Sequence, residues 1–344
     1  MTALEVVLPG KVEPDGLQLR HRVLPAPAPG QVLVAVAATG VSFAERAMRR
    51  GRYYGQPAFP FVPGYDLVGT VTALGADVDP ALLGRRIAAL TKTGGWSSHV
   101  VLAARDVIVV PSDLDPVEVE ALMVNGITAW QMLHRKAKVQ PGQTILVHGA
   151  SGGVGTTLVQ LARHHGVQVI GTASARHHDA LRELGVTPID YRDADLVARV
   201  REIAPRGVDA VFDHLGGESL RDSYRLLAPG GTLISYALAA KLDDTDSVLR
   251  LFLALMARLA WWNLLPNGHT ALFYNIWAGR SLQRKAFQQR MTEDLTAVLG
   301  LLADGVLTPQ IAARLPLSAA AEAMTLAESR TAYGKIILLP TETA

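Results

Sequence analysis

The chain contains no cysteine. That absence excludes disulfides, catalytic thiols, thiolate-ligated iron–sulfur clusters and every zinc site built on thiolates, and it is compatible with a cytoplasmic location. No long run of charge of one sign occurs either. Lys and Arg number 33 against 31 Asp and Glu, a net charge of +2. Neither nucleic acid nor an anionic membrane surface is therefore indicated as a partner. An uninterrupted membrane-spanning stretch is missing as well. The most apolar segment, residues 248–265 (VLRLFLALMARLAWWNLL), is broken by Arg250 and Arg258. A span needs about 20 apolar residues, and an Arg at its centre costs about 2.5–3.5 kcal/mol. The segment reads as a buried or interface helix without stable membrane insertion. No export signal is expected, because Glu5, Lys11, Glu13, Asp15 and Arg20 precede any long apolar run. What remains is a chain of 344 residues with 49% apolar and 19% charged residues, enough for two domains and too apolar for disorder.

Two patterns divide the sequence. The first third is β-rich: residues 31–38 (QVLVAVAA), 67–73 (LVGTVTA) and 86–90 (RIAAL) read as strands between Gly and Pro turns. Pro25, Pro27, Pro29, Pro57, Pro60 and Pro63 punctuate a compact, barrel-like region with irregular loops. Residues 115–134 turn helical, with Pro116 placed early, where a missing amide does no harm. From residue 143 strands and helices alternate. Strands are expected at 144–148, 167–171, 208–212 and 231–236, and helices at 156–165, 177–184 and 219–227. This alternation predicts an α/β fold with a doubly wound parallel sheet. A long helix over 280–305 and a strand over 335–339 complete the reading.

The strongest chemical signal is residues 147–155, VHGASGGVG. The loop Ser151, Gly152, Gly153, Val154, Gly155 lies between an expected strand and an expected helix. There, side chains without bulk let backbone amides approach a pyrophosphate at the positive helix end. NAD-binding chains place an acid about 20 residues further on for the ribose 2′-hydroxyl. Here residues 172–178 are Thr172, Ala173, Ser174, Ala175, Arg176, His177 and His178, with no acid before Asp179. A hydroxyl and a guanidinium suit a 2′-phosphate instead, which points to NADPH.

These stretches, together with residues 122–133 (LMVNGITAWQML), Pro63-Gly64-Tyr65-Asp66 and the ending Gly334-Lys335-Ile-Ile-Leu, resemble the zinc-independent medium-chain dehydrogenase/reductases. Within them the chain is most similar to the quinone oxidoreductase branch and its vesicle amine transport protein 1-like group. The resemblance implies a GroES-like catalytic domain from residues 1–124 and 281–344, a Rossmann NADPH-binding domain from 125–280, a nicotinamide lying between them, and a homodimer. It places Asn125 and Thr128 toward the nicotinamide, Ser174 and Tyr191 around the 2′-phosphate, and Lys335 near the cofactor. Where the family has Lys this chain has His177, which shifts phosphate recognition to Arg176. Ser42 stands where the family often has Asn, and Tyr53 matches a cleft tyrosine. Zinc members have Gly-His-Glu where this chain has Gly64-Tyr65-Asp66, and His99, His134 and His214 have no ligand spacing, so no metal is expected.

The implied activity is zinc-independent, NADPH-dependent hydride delivery to a quinone or an α,β-unsaturated carbonyl, with Ser42 or Tyr53 as proton donor. Two rivals stand beside it. One is an enoyl-thioester reductase with a basic entrance at Arg46, Arg49, Arg50 and Arg52; the other is a non-catalytic NADPH-binding sensor or interaction protein. Trp261 and Trp262 are expected to cover substrate or a partner subunit.

Overall fold

The computed structural model describes residues 1–239, 247–329 and 331–340. It separates into two compact units, one of Met1–Ile127, Gly279–Asp304 and Pro309–Ala344, the other of Thr128–Ala278 and Gly305–Thr308. The first division falls inside the helix Pro116–Trp130, a few residues beyond the boundary expected at 124.

The first unit is built on a seven-stranded sheet. Its strands run in the order Ile311–Pro316, Lys335–Leu339, Gln31–Val41, Asp66–Leu74, Arg86–Leu90 and Val107–Val109, with His99–Ala103 also paired to Gln31–Val41. Val32, Val34, Val36, Leu67, Val71 and Ile87 alternate inward to make its core. The central strand runs to Val41 rather than stopping at 38, because Thr39, Gly40 and Val41 pair with Leu338, Ile337 and Ile336. That partner is remote in sequence, so no local pattern announces the extension.

All neighbours in the second unit's six-stranded sheet are parallel. The order is Thr187–Asp190, Gln168–Ala173, Thr144–His148, Val208–Asp213, Leu227–Ser235, Thr270–Phe273. This is the doubly wound Rossmann order, whose direction reverses between Thr144–His148 and Val208–Asp213. Both edge strands escape the sequence pattern, since each has four residues and offers too little periodicity. The helix Gly153–His164 begins at the glycines, earlier than expected, and buries Leu158, Val159, Leu161 and Ala162.

The segment read as a buried or interface helix is the helix Val248–Asn263, and burial holds for one side only. Leu255 and Leu259 enter the core, whereas Leu249, Leu253, Met256 and Trp261 are exposed. Residues 249, 253 and 256 share one helical face.

Candidate functional site

In the second unit the chain leaves strand Thr144–His148 through Gly149, at φ +67°, where a Cβ would fall 2.4 Å from the His214 imidazole. A Cβ on Gly155 would lie 2.2 Å from the Gly149 carbonyl oxygen, so a glycine there lets the helix meet the strand end. Gly152 caps the helix with extended backbone and no side-chain hydrogen bond. A Cβ there would meet only the Gly149 oxygen, at 3.4 Å, so the loop stays open on that side. The first-turn amides of Gly153, Val154 and Gly155 lie at the positive end of the helix, with Ser151 half-buried before them.

Ser174 follows the strand Gln168–Ala173, and the Arg176 Nε donates to its Oγ at 3.2 Å. The Tyr191 amide donates to the Ala173 carbonyl at 3.1 Å, which brings the exposed phenol to the same strand end. Burial, Arg176 and His178 all hold the neighbouring His177 imidazole below its ordinary value. The fold thus gathers Ser174, Arg176 and Tyr191. Thr172 is turned inward instead: it is buried, its Oγ1 accepts from the Gly149 amide at 3.2 Å, and it faces His148 Nδ1. Its hydroxyl is engaged within the fold rather than turned toward the Ser174, Arg176 and Tyr191 group. An open cradle of amides beside a hydroxyl and a guanidinium fits a phosphorylated dinucleotide.

In the first unit, Ser42 is the N-cap of helix Phe43–Arg49 and forms a capping box with Glu45. The Ser42 hydroxyl donates to Glu45 Oε2, which also accepts from the Ser42 amide at 2.8 Å. Glu45 Oε1 accepts from the Tyr65 amide at 2.7 Å. Three donations onto one carboxyl describe the ionised form, even though burial pushes Glu45 above its ordinary value against the Ser42 bond. The single proton of Ser42 is therefore engaged, and its Oγ also accepts from the Ala44 amide at 3.0 Å. Tyr53 differs. It is half-buried, and its hydroxyl lies 2.7 Å from that of Tyr65, where either oxygen can donate.

Lys335 is enclosed at 3% exposure, its Nζ 3.6 Å from Asp66 and 3.4 Å from Glu120. Burial opposes its charge, but Asp66, Glu120 and Glu45 outweigh that and hold the ammonium above its ordinary value. Glu120 is pushed well up by burial and by Asp66, against the pull of Lys335. The Lys335 ammonium is engaged by carboxylates within its own unit. Asn125 and Thr128, three residues apart on the helix Pro116–Trp130, are both buried polar groups on one face.

Of the basic entrance expected at Arg46, Arg49, Arg50 and Arg52, two members are tied up in ion pairs within the fold. Arg49 is buried and forks onto Glu328 at 2.7 and 3.0 Å, and Arg50 joins the same carboxylate at 3.0 Å. These ion pairs tie the short helix to Ala320–Glu328. Sequence reading also missed Glu45, Tyr65, Asp66, Glu120 and His148. Only Glu45 carried a local signal, the Ser42-x-x-Glu45 box. Among the described residues no group of three or more His, Cys, Asp or Glu could hold a metal ion.

Residues 28–112 match the family model of the alcohol dehydrogenase GroES-like domain, and residues 184–338 that of the zinc-binding dehydrogenases. The synaptic vesicle membrane protein VAT-1 homolog of Rattus norvegicus is 36% identical over 332 residues, covering 94% of this chain and 80% of the relative. A 2-haloacrylate reductase from a Burkholderia species is 31% identical over 354 residues, covering 98% and 99%. A mycobacterial protein solved in complex with NADPH superposes with a TM-score of 0.82 at 27% identity, covering 98% of this chain and 100% of that one. Fold and site together define a medium-chain dehydrogenase/reductase, with a GroES-like domain and a Rossmann domain. The chain belongs to the zinc-independent, quinone oxidoreductase-like branch of that family, having Gly64-Tyr65-Asp66 and no thiolate where zinc members carry ligands.

Proposed function

We propose that the protein is an NADPH-dependent reductase of quinones or α,β-unsaturated carbonyl compounds. The observation that carries the cofactor choice is the Arg176–Ser174 pair at the strand end, in the same Rossmann sheet as the open glycine loop. The amides of Ser151, Gly152, Gly153, Val154 and Gly155 hold the diphosphate. Ser174, Arg176 and Tyr191 hold the 2′-phosphate, with Asn125 and Thr128 toward the nicotinamide. Bound NADPH supplies the hydride; the chain supplies orientation and a proton. Tyr53 is the donor toward the developing enolate, because its hydroxyl can be resupplied through Tyr65, whereas the Ser42 proton is engaged by Glu45. The reductase relative named for a 2-haloacrylate, itself an activated alkene, supports this acceptor class. The enoyl-thioester alternative keeps Arg46 and Arg52 as its basic candidates, since Arg49 and Arg50 are engaged by Glu328. A homodimer is part of the proposal, with the exposed face of Val248–Asn263 as the surface toward the second copy.

The test is NADPH oxidation with quinones, enones and enoyl thioesters. Tyr53→Phe lowers kcat by roughly 10²-fold with NADPH affinity unchanged. Ser42→Ala loses about 1 kcal/mol of stability through the cap and keeps most of kcat. Tight NADPH binding without oxidation of any acceptor would favour the sensor reading.

A further inference from the structure

We infer that His148 is a positioning residue for the dinucleotide loop, holding Gly149 through Thr172 as a neutral imidazole protonated on Nε2. The inference rests on the cofactor reading above. Its basis is a chain of buried hydrogen bonds across the ends of three adjacent strands, formed by Thr172, His148, Ser223 and Asp213.

The direction of each bond follows from the acid at one end. Asp213 Oδ1 accepts from the amides of Leu215 and Gly216 at 2.8 and 3.0 Å, and Oδ2 from the hydroxyls of Ser219 and Ser223 at 2.7 and 2.8 Å. Burial opposes its charge, yet the Gly216 amide and the hydroxyls of Ser219 and Ser223 hold the carboxyl below the usual carboxylate range. An ionised carboxylate only accepts, so Ser223 gives Asp213 its one proton. Ser223 Oγ must then accept from His148 Nε2, 3.1 Å away, and the hydrogen sits on Nε2. Nδ1 is left with its lone pair, facing Thr172 Oγ1 at 3.2 Å, and receives that hydroxyl's proton. Thr172 Oγ1 in turn accepts from the Gly149 amide. From Gly149 to Asp213 every donor points the same way.

The other arrangements each break a link. With the hydrogen on Nδ1, Ser223 must turn away from Asp213 to serve Nε2. With both nitrogens protonated, the Thr172 hydroxyl loses its acceptor. A buried group left unpaired costs about 1–3 kcal/mol, so the Nε2–H form is favoured. Burial also pushes the imidazole below its ordinary range, against the pull of Asp213 and Asp222.

Gly149 is thereby gripped from two sides. Thr172 holds its amide, while the His214 ring occupies the space of its absent Cβ and donates from Nδ1 to the His148 carbonyl at 3.1 Å. The amides that meet the diphosphate follow within the same loop, so a slack Gly149 displaces them. Thr172 therefore serves the cofactor indirectly.

Two measurements on the full chain test this. Nitrogen NMR of the wild-type His148 ring should show Nε2 protonated and Nδ1 bare, with both signals shifting as NADPH is added. In the second, His148→Asn and His148→Gln are compared by NADPH dissociation constant and melting temperature. The Asn amide stands at the level of Nδ1 and can still accept from Thr172; the Gln amide reaches toward Ser223 instead. Both variants should lose similar thermal stability. His148→Asn should bind NADPH within about threefold of wild type and His148→Gln about tenfold or more weakly. An Nδ1–H ring, ring signals unmoved by saturating NADPH, or equal affinities across wild type and both variants would overturn the role of His148. A wild-type chain that binds no NADPH would overturn the cofactor reading itself, and this inference with it.

Discussion

Two buried glutamates in the first unit are both pushed up by burial but meet different neighbours. Glu45 collects donations from the Ser42 amide, the Ser42 hydroxyl and the Tyr65 amide, and is held ionised. Glu120 shares one ammonium, Lys335, with Asp66 and is pushed well above its ordinary value of 4.5 by burial and by Asp66. A carboxyl whose folded-state value is raised stabilises the fold at low pH. That contribution is lost as pH rises from 4.5 toward the folded-state value. Glu120→Gln removes this titration. The unfolding free energy of the variant relative to wild type should therefore climb as pH rises above 4.5, read by urea unfolding across a pH series. A constant difference would show that Glu120 is ionised in the fold. At this scale the sequence revealed the cradle better than the proton chemistry. The glycine loop, Ser174 and Arg176 lie within one short stretch. The contacts of Lys335 with Asp66, and of Tyr53 with Tyr65, arise only once the sheet brings remote segments together.

Elements were legible where burial on both faces produced an apolar run. The central strands Thr144–His148 and Val208–Asp213 are near-continuous apolar stretches bounded by turns, and both are visible in the sequence. The edge strands Thr187–Asp190 and Thr270–Phe273 are short and carry Pro188 or polar ends. The helix Val248–Asn263, read as buried or interface, is covered by tertiary packing on one face and exposed on the other. Its two tryptophans separate accordingly. Trp262 stacks on Tyr224 with ring centroids 4.4 Å apart and packs on the core of the second unit, whereas Trp261 is 62% exposed. Trp262→Ala should lower stability by about 2–3 kcal/mol, less than the ~3–5 kcal/mol of a fully buried Trp. Trp261→Ser should leave the melting temperature unchanged and weaken self-association in sedimentation. A sedimentation profile identical to wild type would remove this face from the proposed dimer.

For the whole molecule, the combination of a GroES-like unit with a Rossmann unit was readable because several motifs fall in family order along the chain. The division between the compact units lies within the helix Pro116–Trp130, near the polar interruption Asn125, Gly126 and Thr128. No helix among the described residues is long and apolar enough to cross a membrane. The proposed reductase depends on a strand end at Ser174 and Arg176 that selects a 2′-phosphate. Calorimetric dissociation constants for NADPH and NADH, on wild type and on Arg176→Ala, test it most directly. A charge-assisted contact is worth about 1.5–3 kcal/mol and 1.4 kcal/mol is about tenfold, so wild type should prefer NADPH by at least about tenfold. Arg176→Ala should lose most of that preference with NADH affinity unchanged. Equal constants in wild type, or a preference that survives the loss of Arg176, would contradict the account.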